Sequence, residues 1–190
     1  MMRVSLMLIS VLGLLAFVAV CVVVALIIVQ KVFGLKLFDK LHHFLHPYAY
    51  QLAFISALMA TMASLFLSEV LHFQPCILCW YQRIAMYPQA VLLYVAQLRN
   101  ERVLTPYLIV MNLVGGVIAL YHYSLHVLPR TMLPILPCAK QYAGVPCDKG
   151  YDFYFGFMTF PLMAWAVFMV IIMLLAFSSL PKPKARSKKR

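Results

Sequence analysis

Four of the five cysteines in this sequence form two pairs whose spacing is suited to chemistry. Cys76 and Cys79 stand in the stretch PCILCWYQR, and Cys138 and Cys147 stand in LPCAKQYAGVPCDKG. A C-x-x-C pair closes a loop too short to stabilise a fold greatly, because the stabilisation from a disulfide grows with loop length. Such pairs are more typical of redox or metal chemistry. The pattern therefore predicts either thiol–disulfide exchange or metal binding by the four thiols.

The residues around the first pair favour the redox interpretation. Pro75 is suited to the start of a helix, which would place Cys76 and Cys79 in the first turn, where the helix dipole and free N–H groups stabilise a thiolate. Arg83 follows four residues after Cys79 and is expected on the same helix face. Arg83 either stabilises a thiolate or an anionic reduced cofactor, or anchors the chain at the membrane surface. The spacing alone leaves both readings open.

The second pair lies in a segment rich in proline and glycine, with eight residues between Cys138 and Cys147. This composition predicts an exposed, movable disulfide, as thiol–disulfide exchange requires. Tetrahedral metal binding by all four cysteines is the competing prediction, although it needs ligands that are already aligned. Cys21, the fifth cysteine, lies among valines in an apolar run and is predicted to pack there.

The composition indicates which elements must position these cysteines. With 65% hydrophobic and 11% charged residues and a mean hydropathy of +0.92, a water-soluble globule is excluded. The sequence lacks the alternation of a β-barrel, so its long apolar stretches are predicted to be membrane-spanning helices. The first is too long for a cleaved signal peptide and is expected to be retained. The five predicted spans are 4–30, 47–73, 76–98, 103–128 and 153–180.

The net charge of +11 is expected to set membrane orientation rather than to bind nucleic acid. Eleven basic residues fall on one side of the predicted spans, in segments 31–40, 99–102 and 182–190, and the other five fall on the opposite side or at its boundary. The richer side is predicted to be cytoplasmic and to hold the C-terminus. Segments 74–79 and 129–152, with all four paired cysteines, and the N-terminus would then lie outside.

Residues 31–46 are predicted to form an amphipathic helix in the cytoplasmic membrane interface. His42 and His46 are interpreted as titratable interfacial side chains, with a shared metal as the less favoured alternative. The basic segment 181–190 is predicted to be a disordered tail that is attracted to anionic lipid.

At these residues the sequence resembles the DsbB family of membrane thiol oxidases, and its BdbC branch most closely. The similar stretches are SEVLHFQPCILCWYQRIAMYPQ at 68–89, HYSLH at 122–126 and VPCDKGYDFYFGFMTFP at 145–161, within a likeness that covers about residues 50–180. The resemblance implies an all-α integral membrane fold. A four-helix transmembrane bundle over residues 47–180 would follow one additional N-terminal transmembrane helix over residues 1–30.

The resemblance also implies that a quinone binds near the outer ends of the helices. This quinone would be either ubiquinone or menaquinone. Cys76 and Cys79 would exchange electrons with the quinone, with Cys79 next to its ring. Arg83 matches the arginine that assists the quinone. His122 falls near where some members place a quinone-proximal histidine, and it is equally interpretable as a hydrogen-bonding histidine inside the bundle.

By the same resemblance, Cys138 and Cys147 would form the shuttle disulfide that accepts electrons from a DsbA-like thioredoxin-fold partner. Two features depart from the family pattern. The spacing of this pair is shorter than in the Gram-negative enzymes, and the first helix lies outside the usual four-span core. These departures bear on the choice of partner and leave the chemistry unchanged.

The predicted function is therefore oxidation of an exported dithiol partner in the bacterial cytoplasmic (inner) membrane, with electrons passing to the quinone pool and the respiratory chain. No dissolved metal, nucleotide or nucleic acid is required. A quinone-linked thiol oxidoreductase of the vitamin K epoxide reductase type is the alternative enzyme. A metal- or haem-handling membrane protein that uses Cys, His and the 12 Met is the alternative from another class.

Overall fold

The chain is an all-α integral membrane protein, which confirms the predicted fold class. A computed structural model describes residues 2–33, 37–128, 147 and 155–180, with only the backbone described at residues 2, 3, 33 and 37. Among these residues, four helices are long and apolar enough to cross a membrane. The helices are α1 (Met2–Phe33), α2 (Leu37–Leu45), α3 (Ala49–Leu65), α4 (Ile77–Leu98), α5 (Thr105–Val127) and α6 (Phe160–Ser179).

Helices α3 to α6 form the four-helix bundle, in which each helix packs against the next along the chain and α6 closes the ring against α3. Its core contains the fully buried side chains of Leu93, Leu108, Phe168, Ile171 and Leu175. Helix α4 is as long as its neighbours but carries polar residues such as Gln82, Arg83 and Gln89. In a membrane these polar side chains are expected to face the protein interior rather than lipid.

Helix α1 lies outside the bundle and packs along α6. The ring of Phe17 lies 6.2 Å from that of Trp165 and 6.0 Å from that of Phe157. Most of the remaining surface of α1 is apolar and exposed, as expected for a helix in contact with lipid. Cys21 belongs to this exposed surface, so the prediction that it packs among the valines is wrong.

The last helix starts seven residues later than the sequence predicts, at Phe160 instead of residue 153. Phe155 and Gly156 have positive φ values of 54° and 81°, which are incompatible with a right-handed helix. Thr159 is still extended, and Pro161 stands at the beginning of the helix, where proline is well tolerated.

Helix α3 ends in a π-helical turn, Phe66–Val70. The N–H of Leu71 donates to the carbonyl oxygen of Phe66 at 3.1 Å, and His72 follows in the left-handed region with φ 55°. The chain therefore leaves the helix sharply and enters the short connection that leads to Cys76.

The described residues between the first two predicted spans are organised differently from the prediction. Helix α1 continues to Phe33, and α2 spans only Leu37–Leu45. His42 and His46 are buried; the Nε2–H of His42 donates to the carbonyl oxygen of Phe177 (3.0 Å), and that of His46 donates to the carbonyl oxygen of Leu180 (3.1 Å). These histidines cap the last turn of α6, which leaves carbonyl groups without helical partners. The predicted tail, 181–190, lies outside the described residues.

Candidate active site

Cys76 is the N-cap of α4 rather than a residue of its first turn. Its backbone is extended (φ −72°, ψ 172°), and α4 begins at Ile77, one residue later than the predicted span 76–98. The Sγ of Cys76 accepts a hydrogen bond from the backbone N–H of Cys79 at 3.4 Å. A sulfur atom thus takes the place of the side-chain oxygen that usually satisfies an orphan N–H at a helix start. The positive end of the helix dipole at this position favours a thiolate within the Cys76–Cys79 pair.

The two sulfur atoms of the C-x-x-C pair lie next to each other. The Sγ atoms of Cys76 and Cys79 are 3.1 Å apart, with Cys76 buried and Cys79 partly exposed. Only a small rotation of the side chains separates this arrangement from a disulfide bond. The local geometry therefore allows the pair to alternate between dithiol and disulfide without movement of α4.

His122 reaches this pair from α5. Its Nε2 lies 3.6 Å from the Sγ of Cys76, and its Nδ1 lies 3.1 Å from the Nε2 of Gln82. The NH₂ group of Gln82 can only donate, so Nδ1 accepts and the ring proton is on Nε2, directed at Cys76. Gln82 and His122 are both buried, and together they offer a hydrogen-bond donor to a thiolate at Cys76.

Arg83 is held against α3 by two hydrogen bonds to one residue. Its Nε donates to the Oγ of Ser64 (3.0 Å) and an Nη donates to the carbonyl oxygen of Ser64 (3.1 Å). The hydroxyl of Tyr87 donates to the same Oγ (3.1 Å), and the guanidinium carbon lies 5.3 Å from the ring centroid of Trp80. This geometry holds the guanidinium beside the cavity described below. An arginine that served only as a surface anchor would need no such contacts and would be free to reach water.

Cys147 lies in the same apolar cluster as Cys76 and Leu78, with 3% of its surface exposed. The structure thus brings one cysteine of the second predicted pair next to the first pair. The exposed position that the sequence predicts for this pair does not hold for Cys147. Cys138 lies outside the described residues.

One cavity of about 400 Å³ connects these residues, a volume within the range of ligand sites. Its outer end contains Cys76, Cys79, Arg83, His122 and Cys147, and its deeper end is lined mainly by apolar residues of α3 and α6. The cavity therefore suits an amphipathic ligand whose polar end meets the cysteines.

A metal ion is the other group that these side chains could hold. The ligand atoms of Cys76, Cys79 and His122 lie within 4.8 Å of one another, and a Cys₂His set suits zinc or copper(I). The competing metal site predicted from the sequence consists of the four paired cysteines. The set of possible ligands in the structure differs, because it contains His122 and only the first pair.

Three polar residues of the site were not predicted from the sequence. Gln82 stands within the C-x-x-C-W-Y-Q-R stretch, where its three-residue distance from Cys79 could have placed it on the same face. Ser64 and Tyr87 carry no recognisable signal, because their contact with Arg83 exists only once α3 packs on α4.

The chain is similar in sequence to proteins of disulfide bond formation. Residues 47–179, more than half of the chain, match the profile of the family described as "Disulfide bond formation protein DsbB". No solved structure matches the chain.

Among curated relatives, the disulfide bond formation protein C of Bacillus subtilis (strain 168) is 38% identical over 120 residues, which cover 63% of this chain and 84% of the relative. The probable disulfide formation protein C of Halalkalibacterium halodurans is 37% identical over 119 residues, 63% of this chain and 84% of the relative. The probable disulfide formation protein of Coxiella burnetii is 34% identical over 140 residues, 73% of this chain and 93% of the relative.

Proposed function

Because the chain belongs to the DsbB family, and is therefore a thiol–disulfide oxidoreductase of disulfide bond formation, we propose that it oxidises a DsbA-like thioredoxin-fold partner and delivers the electrons to a membrane quinone. The main observation in support of this proposal is that Cys76, Cys79 and Cys147 lie together at the polar end of one cavity. Two disulfides that exchange with each other must bring their sulfur atoms together, and a lipid-soluble acceptor must reach one of them.

The first exchange takes place at the second pair. A thiolate of the partner attacks the Cys138–Cys147 disulfide and forms a mixed disulfide, which the partner's second thiol resolves. The partner leaves oxidised, and Cys138 and Cys147 become thiols. Two electrons and two protons have then moved from the partner to this pair.

The second exchange transfers the same two electrons inward. A thiolate of the Cys138–Cys147 pair attacks the Sγ of Cys76, the S–S bond to Cys79 breaks, and Cys79 leaves as a thiolate. The other thiol of the shuttle pair then closes its own disulfide and releases Cys76. The short distance between Cys76 and Cys79 and the burial of Cys147 beside them support an exchange between the two pairs.

Two side chains stabilise the anions formed in this exchange. His122 directs its Nε2 at Cys76 and can hydrogen-bond a thiolate there. Arg83 lies one helical turn from Cys79, and its guanidinium is held beside the cavity by Ser64. Preorganised donors of this kind lower the cost of developing charge in a site that excludes water.

The residues of the cavity fit a quinone. Its outer end offers hydrogen-bond donors to ring oxygens, and its deeper walls offer apolar contacts to a hydrocarbon tail. When bound, a quinone supplies an acceptor for the two electrons and two protons of the Cys76–Cys79 dithiol. Arg83, His122 and Cys79 are the residues that would contact its ring.

The proposed location follows from the same site and the distribution of charge. The cysteines act on the outer side of the bacterial cytoplasmic membrane, where exported partners fold, and the C-terminus lies in the cytoplasm. The eleven basic residues of segments 31–40, 99–102 and 182–190 support this orientation.

Cysteine variants separate the two exchanges. With Cys79→Ser, we expect quinone reduction to be abolished with both the protein partner and dithiothreitol as electron donor, because no Cys76–Cys79 disulfide can form. With Cys147→Ser, we expect loss of partner oxidation, while dithiothreitol still reduces Cys76–Cys79 and supports quinone reduction. Quinone absorbance and the partner's thiol content measure the two activities.

Cys21→Ser is the matched control, because Cys21 is exposed on α1, away from the cavity. It is expected to leave both activities unchanged. If Cys79→Ser and Cys147→Ser both retained full partner oxidation, the relay would be excluded.

A further inference from the structure

The cavity extends beyond the four-helix bundle to the additional helix α1. Ile9, Leu12, Gly13 and Ala16 line it together with residues of α3, α4, α5 and α6. The family match begins at residue 47, so this part of the wall lies outside the residues that match the family. Helix α1 therefore does more than cover an apolar face of α6.

We propose that α1 forms part of the binding wall for the isoprenoid tail of the quinone and so helps to determine which quinones the protein uses. This inference rests on the proposed function. The proposed function places the quinone ring at the end of the cavity that contains the cysteines, and the inference places the quinone tail in the part of the same cavity that α1 lines. The occupant is the tail, because the cavity is continuous with the end at which the ring would meet Arg83 and Cys79.

The shape of the cavity supports an elongated ligand. Along α3 its lining runs from Ile55 to Ser64, which corresponds to about 14 Å at the rise of an α-helix. Along α6 it runs from Phe160 to Val170. A ring that contacts Arg83 leaves the deeper part of this length for a chain.

The chemistry of the deeper part suits a hydrocarbon. Small or apolar residues face one another across it, including Ala16 of α1, Met59 and Ala60 of α3, and Val167 of α6. An isoprenoid chain is itself apolar and gains van der Waals contacts among such side chains, and close packing of this kind is what favours association inside a membrane. The small residues leave room for the chain between the helices.

Gly13 holds α1 close enough to α6 to serve as this wall. A Cβ at this position would lie 2.5 Å from the Cγ of Met163, which is too short for real atoms, and 3.0 Å from its Cβ, which is tighter than most real contacts. Met163 itself lines the cavity. The absence of a side chain at Gly13 thus lets the two helices meet at the edge of the proposed tail site.

Quinones with and without a tail test the proposal in the full-length protein. We expect Ala16→Phe to raise the ratio of KM for an isoprenoid quinone to KM for a tailless quinone by at least about tenfold, because the phenyl ring would fill space that the tail occupies, and a loss of about 1.4 kcal/mol in binding already corresponds to that factor. Leu15→Phe is the matched control: Leu15 is the preceding residue, is exposed, and is absent from the cavity lining. Its ratio is expected to stay at the wild-type value.

The outcomes distinguish this inference from the proposed function. A wild-type protein that reduces neither quinone would contradict the proposed function, and the tail site with it. A wild-type protein that reduces quinones, combined with an unchanged ratio in Ala16→Phe, would overturn the tail site alone. An equal rise of both KM values would also overturn it, since the wall would then act on the ring.

A measurement on the wild-type protein keeps the test valid if Ala16→Phe does not fold. A quinone with a photoreactive group on its tail is expected to label α1 within residues 9–16, as identified by peptide mass mapping, and excess isoprenoid quinone should prevent this labelling. Labelling confined to α3 and α6 would overturn the proposal.

Discussion

At the scale of single residues, the site depends on side chains that are held in place by a second residue. Gln82 orients His122 toward Cys76, and Ser64 binds two nitrogens of Arg83. The contact between Ser64 and Arg83 uses the planar, forked geometry of the guanidinium, which the single ammonium group of lysine cannot reproduce. A residue that only snorkelled to the membrane surface would have no such requirement.

Arg83→Lys is therefore expected to raise the apparent KM for quinone by at least about tenfold, because a charge-assisted hydrogen bond contributes about 1.5–3 kcal/mol. Expression and formation of the Cys76–Cys79 disulfide should remain normal. Quinone reduction kinetics measure the apparent KM, and alkylation followed by mass spectrometry measures the fraction of protein with the Cys76–Cys79 disulfide.

The control for this substitution lies at the other end of the same helix. Arg99 is the C-cap of α4 and is exposed, so Arg99→Lys should leave the quinone KM unchanged. Wild-type kinetics in Arg83→Lys would assign Arg83 to anchoring and contradict its proposed contact with quinone.

At the scale of the helices, the bundle depends on one close approach between α5 and α6. A Cβ at Gly115 would lie 2.4–2.9 Å from three atoms of the Phe168 ring, and Phe168 is fully buried. A Cβ at the neighbouring Gly116 would lie 2.8 Å from the terminal methyl of Met169, and its next neighbours, in Phe168 and Trp165, would be at ordinary contact distances of 3.8 Å and 4.0 Å. A rigid ring in the core cannot give way, whereas the end of a methionine side chain can.

Gly115→Ala is expected to destabilise the protein by about 1–3 kcal/mol through overpacking, and to lower its Tm in detergent by at least about 2 °C. Gly116→Ala is the matched control and should keep or raise the wild-type Tm, because alanine has the higher helix propensity. Equal Tm values for the two variants would contradict the close packing of Gly115 on Phe168.

At the scale of the whole molecule, the proposed function requires the cysteines to face outward. The chain carries Arg99 and Arg102 before α5, while Leu128 follows the other end of α5 and is exposed. The excess of basic residues predicts that the start of α5 is cytoplasmic. The two ends of one helix thus provide a paired test of orientation.

In a variant with all native cysteines replaced by serine, Leu128→Cys is expected to react with an impermeant thiol reagent in intact cells. Glu101→Cys, at the other end of α5, should react only after the membrane is permeabilised. Gel-shift analysis of the labelled protein measures both. The reverse pattern would overturn the orientation and, with it, access of an exported partner to the cysteines.

The sequence by itself determined the class of the protein, because class depends on local patterns. Apolar runs and charge distribution identify membrane-spanning helices and predict their direction, and the C-x-x-C-W-Y-Q-R stretch carries the family likeness. The spacing of Cys79 and Arg83 also needs no tertiary information, since residues four apart share a helix face. Helix ends were less predictable: α6 begins at Phe160 because of left-handed residues that hydropathy does not reveal.

Only the tertiary structure decided how the site is completed. His122 meets Cys76 across 46 positions of sequence, Ser64 meets Arg83 across 19, and α1 closes the cavity from outside the bundle. Such contacts depend on the rotation of each helix about its axis and on its distance from its neighbours. Interlocking side chains such as Phe168 against Gly115 set these quantities, and the periodicity of a single helix does not contain them.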